Sequence, residues 1–79
     1  MNWHNTLEII YSKLEGNGYP DISADILERQ LSGATGGEVF GAVVTKLISI
    51  KRDEPEVYEI IKSEIDSFIE YGRSIGYIR

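Results

Sequence analysis

The chain contains no cysteine and only one histidine, His4, among its 79 residues. Without cysteine there is no disulfide, thiolate metal site or cysteine nucleophile, and one histidine cannot build a multi-histidine metal site. Nowhere do about 18 apolar residues follow one another, which predicts that no helix spans a membrane. The first residues have neither the basic stretch nor the apolar run of a signal peptide, so a cytoplasmic location is expected.

Basic side chains are also scarce. Eight Lys and Arg stand against 13 Asp and Glu, which gives a net charge of −5 at neutral pH. Nucleic acids and anionic lipids are usually met by clustered Lys and Arg, so this balance predicts no nucleic-acid partner and no membrane partner. It favours a basic protein as the partner instead.

The length of the chain predicts a single helical domain over residues 1–79, because two cores would each be too small to fold unaided. The hydrophobic fraction of 42% and the charged fraction of 27% are ordinary for a globular protein. So short a chain buries only about 60% of the surface that its unfolded form exposes. Self-association would add buried area that the monomer lacks.

Apolar residues recurring at three- and four-residue steps predict a first helix from about Asn5 to Glu15. Gly16 suits the position just after its C-terminus. Pro20 suits the first turn of a second helix, which we expect to end at Leu31. The apolar residues of this helix divide between two stripes, so it is expected to present a broad face to two neighbours. The stripes are Ile22 with Ile26 and Leu27 with Leu31.

Thr35 followed by Glu38 is a capping-box signature, in which the hydroxyl accepts from the Glu38 amide and the carboxylate from the Thr35 amide. The apolar residues that follow cover about half the circumference of a helix, which predicts residues 36–52 as the central buried helix. Pro55 marks the first turn of a fourth helix, with Ile75 on its apolar stripe and Gly76 just after its end. The connections are short, so the expected fold is an all-α antiparallel bundle of about four helices.

The fourth helix has two contrasting faces. Seven acidic side chains accompany one lysine between residues 53 and 70, and helical spacing puts four of the acids opposite the apolar stripe. These four are Glu56, Glu59, Asp66 and Glu70. A face that points into water lacks the pocket that catalytic carboxylates need, so a solvated surface is favoured over an acid/base or metal site. Glu64 lies nearer the apolar stripe and is expected at the border of the core.

The segment from Gly33 to Gly37 has two interpretations. A helix N-terminus with exposed amides attracts anions, but the segment lacks the Lys and Ser/Thr of a P-loop and carries the acid Glu38. Alternatively, Gly36, Gly37 and Gly41 remove side chains so that another backbone can approach closely. Both interpretations remain open at this stage.

In size, charge and helix number the chain resembles acyl carrier proteins, whose modified serine lies at a helix start. The comparable position here reads Thr35-Gly36-Gly37 and contains no serine. Colicin-type immunity proteins are similar at the same coarse level, since they are short, acidic and helical. This is a resemblance of class only, because no motif in the chain matches theirs.

Several apolar residues are expected to remain exposed, namely Ile9, Tyr58, Tyr71, Tyr77 and Ile78. They favour an interaction surface, because tyrosine combines apolar area with a polar tip.

The sequence therefore predicts a protein without enzymatic activity, cofactor or metal, acting as a protein–protein interaction module. Homodimerisation through helix four or the C-terminal tail is one form of that contact, and the alternative is a small acidic inhibitor or immunity-like protein that neutralises a basic partner. The candidate partner-binding residues are Glu56, Tyr58, Glu59, Asp66, Glu70 and Tyr71.

Overall fold

The computed structural model describes residues 2–78, and this range folds into four α-helices with no strand. They are α1 (Trp3–Gly16), α2 (Pro20–Ser32), α3 (Gly36–Asp53) and α4 (Pro55–Ser74). Each helix packs on the next along the chain, and α4 packs back on α1, so the helices close a ring around one core. The all-α prediction is confirmed. Within residues 2–78 no helix has both the length and the apolarity needed to cross a membrane.

The core is supplied unequally by the four helices. The buried residues of α3 include Phe40, Val43 and Leu47, as expected for the helix predicted over residues 36–52. Helix α4 contributes at least as many buried residues as α3. α2 contributes only Ser23 and Ile26. α2 therefore contributes the fewest buried residues to the core.

Helix α1 ends in a left-handed turn at Gly18, where φ is +86°. The Tyr19 amide donates to the Leu14 carbonyl at 2.8 Å, and the Gly18 amide donates to the Glu15 carbonyl at 3.4 Å. This is the Schellman pattern, which satisfies the last carbonyls of a helix. The prediction that Gly16 follows the end of the helix is wrong, because Gly16 is still helical.

Helix α4 ends in the same pattern at Gly76, where φ is +83° and the Tyr77 amide donates to the Gly72 carbonyl at 2.8 Å. The prediction for Gly76 is confirmed. Ile75, predicted on the apolar stripe of this helix, is instead 46% exposed. The turn directs Tyr77 and Ile78 back toward the start of α3 and the last turns of α4.

The start of α3 has the predicted cap with one difference. The Thr35 hydroxyl accepts a hydrogen bond from the Glu38 amide at 3.2 Å. The Glu38 carboxylate accepts from the amide of Ala34 at 3.0 Å, and not from the Thr35 amide. The side chain reaches one residue further back than in the standard capping box.

An aromatic cluster fills the end of the bundle where α1 and α3 begin and α4 ends. The Phe40 ring stacks on Phe68 with centroids 5.8 Å apart, and Trp3 meets both rings edge-on. Tyr71 and Tyr77 approach Phe40 edge-on at 5.6 and 5.3 Å. Edge-to-face and offset-stacked pairs at these distances are favourable beyond the area they bury.

Candidate functional site

Three of the six predicted partner-binding residues are held by contacts within the chain, namely Tyr58, Asp66 and Tyr71. Helix α4 is kinked at Ile61, where φ is −120° and ψ is 26°. Across this kink the Tyr58 hydroxyl donates to Asp66 Oδ1 at 2.7 Å, and the Lys51 ammonium donates to the same oxygen at 3.3 Å. The Lys51 ammonium also lies 5.4 Å from the centre of the Tyr58 ring. Tyr58, Asp66 and Lys51 together brace the kink and tie α4 to the end of α3.

The same contacts fix the protonation of the brace. The hydrogen bond from Tyr58 and the Lys51 charge lower the pKa of the Asp66 carboxyl, against the opposing effect of burial. The carboxylate in turn raises the pKa of the Tyr58 hydroxyl and of the Lys51 ammonium. At neutral pH the brace therefore consists of an ionised acid, a neutral phenol and a charged amine.

Because the folded-state pKa of Asp66 lies below its usual value, the brace stabilises the fold above about pH 4 and is lost as the pH falls further. We expect Asp66→Asn to lower the thermal midpoint at pH 6 and to differ progressively less from the wild type between pH 4 and pH 2. Circular dichroism melts at successive pH values measure this difference. Glu59→Gln is the control, since Glu59 has no ion-pair partner in residues 2–78. A difference that stays constant down to pH 2 would contradict the brace.

Three of the predicted acids have no such partner. Glu56, Glu59 and Glu70 are exposed on α4 and form no ion pair with any residue in the range 2–78. Tyr71 is half-buried against Phe40 and belongs to the aromatic cluster. The predicted acidic stripe therefore splits into three available carboxylates and one braced carboxylate, while both tyrosines are partly withdrawn from solvent.

Glu64 lies at the border of the core, as the sequence predicted, with its side chain 11% exposed. Its carboxylate accepts two hydrogen bonds from the Lys13 ammonium, at 2.9 and 3.0 Å. This bidentate contact joins α1 to α4. A carboxylate so poorly hydrated needs such a partner, which explains why this acid differs from its neighbours.

The glycines at the start of α3 leave room for the side chain of Tyr77. A Cβ on Gly37 would collide with the Tyr77 hydroxyl, and one on Gly41 would lie 3.9 Å from the Tyr77 ring. The prediction that another backbone approaches these glycines is therefore wrong, because the side chain of Tyr77 approaches Gly37 and Gly41 instead. At Gly36 nothing lies within 4 Å of an added Cβ, so this glycine is not explained by packing.

Gly33 and Gly36 offer a matched pair of substitutions. A Cβ on Gly33 would come within 2.8 Å of the Val39 backbone nitrogen, which cannot move away as a flexible side chain can. We expect Gly33→Ala to cost about 1–3 kcal/mol of unfolding free energy, as overpacking does. Gly36→Ala should be neutral or stabilise by up to about 1 kcal/mol, because it restricts only the unfolded chain. Urea denaturation of both variants checks this, and equal stabilities would contradict the placement of Gly33.

The outer side of α2 carries the most exposed of the large apolar residues in the range 2–78. Leu31 is 75% exposed and Leu27 is 42% exposed. Together with three neighbours they line an open depression of about 450 Å³, which we call the α2 face. Its residues are Ala24, Leu27, Glu28, Leu31 and Ser32.

Only one of the two stripes predicted for α2 is packed. Ile26 is fully buried and Ile22 is partly buried against the core, between α1 and α3. Helix α2 packs on two neighbours, α1 and α3, as predicted. The Leu27 and Leu31 stripe, however, points outward and remains exposed. Ile9, predicted to be exposed, is 45% exposed. Tyr77 is 51% exposed, as predicted, and its ring rests on Phe40. Ile78, also predicted to be exposed, is instead partly buried against the core.

Within residues 2–78 no group of three or more His, Asp or Glu side chains is placed to hold a metal ion. Every buried side-chain nitrogen or oxygen of the same residues has a hydrogen-bond partner. No protein-family model, curated protein or solved structure matches this chain significantly.

Proposed function

We propose that this chain is a non-catalytic protein-interaction module and that the α2 face is its contact surface. The observation that supports this most is the outward position of Leu31, 75% exposed on a helix whose opposite side reaches the core. Burying a leucine completely stabilises by about 1.5–3 kcal/mol. Leu27 and Leu31 do not obtain that stabilisation fully within the chain, whereas a partner covering the α2 face would supply it.

A single exposed leucine is normal on a protein surface and needs no explanation. Leu27 and Leu31 are one helical turn apart and lie beside Ala24, so they form a continuous apolar stripe. Contiguous stripes of this kind are where helices dock against one another. The stripe also lies on the helix that contributes least to the core, so a partner can bind there without disturbing the packing.

A second candidate function is the small acidic inhibitor that neutralises a basic partner. It is favoured by one observation, which is that Glu56, Glu59 and Glu70 are exposed and form no ion pair within residues 2–78. Free carboxylates on one helix steer a cationic partner and speed association. The anchors predicted beside them are weaker than expected, because Tyr58 is held by Asp66 and Tyr71 by Phe40.

No Cα atom of α2 lies within 8 Å of a Cα atom of α4, so the two candidate surfaces can be tested separately. A photo-crosslinking amino acid is placed at position 31 on α2, at position 59 on α4, or at exposed position 12 on α1, and the chain is illuminated in its native cells. We expect a discrete adduct from position 31 alone, which Leu27→Gln diminishes. An adduct from position 59 alone would favour the acidic inhibitor, and no adduct from 31 or 59 would contradict both functions.

A further inference from the structure

Resting on the proposed function, we infer that the partner of the α2 face is a helix of another protein, with two apolar residues one turn apart and Lys or Arg along one edge. The inference follows from the charges beside the leucine stripe. Asp21 and Glu28 are exposed and seven residues apart, so they lie on the same edge of α2, next to the stripe. Neither forms an ion pair with any residue in the range 2–78.

Basic groups near this edge are already occupied. Asp25 lies between the two free acids, and its carboxylate binds the Lys46 ammonium at 3.0 Å and the Arg29 guanidinium at 3.4 Å. These contacts anchor α2 to α3 and leave Asp21 and Glu28 without a neighbouring cation. The negative charges of the acidic edge therefore have no ion-pair partner within the described chain, and a partner bound to the α2 face would lie next to them.

A second copy of the chain fits this surface poorly. In an antiparallel pair of α2 helices related by a two-fold axis, the acidic edge of one copy meets the acidic edge of the other. Glu28 is near the middle of the stripe, so it would approach its own counterpart. Like charges brought together at an interface oppose association.

A parallel pair places each acidic edge against the opposite edge of the other copy, where Ser23 and Gln30 offer no positive charge. The basic groups without an ion pair in residues 2–78, Lys62 and Arg73, both lie on α4 beside acids. A cationic helix from a different protein satisfies both requirements of the α2 face. Its apolar pair covers Leu27 and Leu31, and its basic edge faces Asp21 and Glu28.

Two synthetic helical peptides test this partner chemistry. Both carry two leucines one turn apart, and one has lysines two turns apart along a single edge where the other has glutamates. Each is titrated into the full chain labelled with ¹⁵N, and amide shifts report the site and the Kd. We expect both peptides to shift amides between Ala24 and Ser32, with the lysine peptide binding about three- to tenfold more tightly, as two exposed ion pairs allow.

Charge-reversal variants separate specific pairing from a general effect of net charge. Asp21→Lys combined with Glu28→Lys should reverse the preference between the peptides. Glu8→Lys combined with Glu15→Lys changes the net charge equally on the exposed side of α1 and should preserve the preference. Equal affinities of the wild type for the two peptides would overturn the inference. So would crosslinking of position 31 to a second copy, or to a partner helix lacking basic residues, and in both cases the proposed interaction function would stand. Absence of any adduct from position 31 would instead remove the proposed function.

Discussion

Phe68→Ala is expected to destabilise the fold by about 3–5 kcal/mol, the usual cost of removing a buried aromatic ring. Phe68 is fully buried, and its ring packs against those of Phe40, at 5.8 Å, and Trp3, at 6.5 Å. A chain of 79 residues has a total stability of about 4–12 kcal/mol, so this one change removes a large share of it. Urea denaturation followed by circular dichroism and by the fluorescence of Trp3, the single tryptophan, measures the loss.

Leu31→Ala is the matched control for this experiment. It also removes apolar side-chain atoms, but from a residue that is 75% exposed, so we expect a change within about 0.5 kcal/mol. A cost above 2 kcal/mol for Leu31→Ala would mean that the residue supports the fold, and the argument for an outward contact surface would fail. A cost below 1 kcal/mol for Phe68→Ala would contradict the aromatic cluster.

Leu27→Gln combined with Leu31→Gln is expected to abolish partner contact without unfolding the chain. Glutamine keeps a high helix propensity, so the change removes apolar area while leaving α2 intact. The few anchor residues that dominate an interface cost about 2 kcal/mol or more when truncated, so the loss of both anchors should lower the yield of adduct at least about tenfold. The crosslinking amino acid is placed at position 24 for this measurement, because it lies on the same face.

Ile9→Gln provides the comparison for the double variant. Ile9 is 45% exposed, close to the exposure of Leu27, but it lies on α1 outside the α2 face. The adduct from position 24 should form as well in Ile9→Gln as in the wild type. An equal loss of adduct in both proteins would show that exposed apolar area in general, and not the α2 face, holds the partner.

The helices and their ends could largely be predicted because their signals are local. Apolar spacing, Pro20 and Pro55 at helix starts, the cap at Thr35 and the glycine after α4 all act over a few residues. Even here local reasoning misplaced the end of α1, since both Gly16 and Gly18 suit a left-handed turn in sequence. In the structure Gly18 takes the left-handed position, and the Tyr19 amide donates to the Leu14 carbonyl across this turn.

The candidate surface was less predictable, because it depends on which helices become neighbours. Leu27 and Leu31 have the spacing of a core stripe, and nothing local distinguishes them from Ile22 and Ile26. Only the ring arrangement, in which α2 packs on α1 and α3, leaves one stripe without a neighbour.

Contacts between residues distant in the sequence were missed for the same reason. The hydrogen bond between Lys13 and Glu64 joins residues 51 positions apart. The hydrogen bond between Tyr58 and Asp66 spans a kink at which the sequence has no proline or glycine. Helical spacing alone placed Asp66 with the free acids, although Lys51 from another helix binds it. Long-range partners thus decided which of the predicted partner-binding residues remain available.

Hydroxyl-radical footprinting of the five leucines tests the exposed α2 face most directly, because it reports the solvent exposure of each side chain by mass spectrometry. In the free chain we expect Leu27 and Leu31 to be oxidised and the fully buried Leu7, Leu14 and Leu47 to be unreactive. Addition of the lysine peptide should protect Leu27 and Leu31 alone. Two results would contradict the α2 face as the contact surface. One is that Leu27 and Leu31 are oxidised as little as Leu7 in the free chain, and the other is that a saturating concentration of the peptide does not reduce their oxidation.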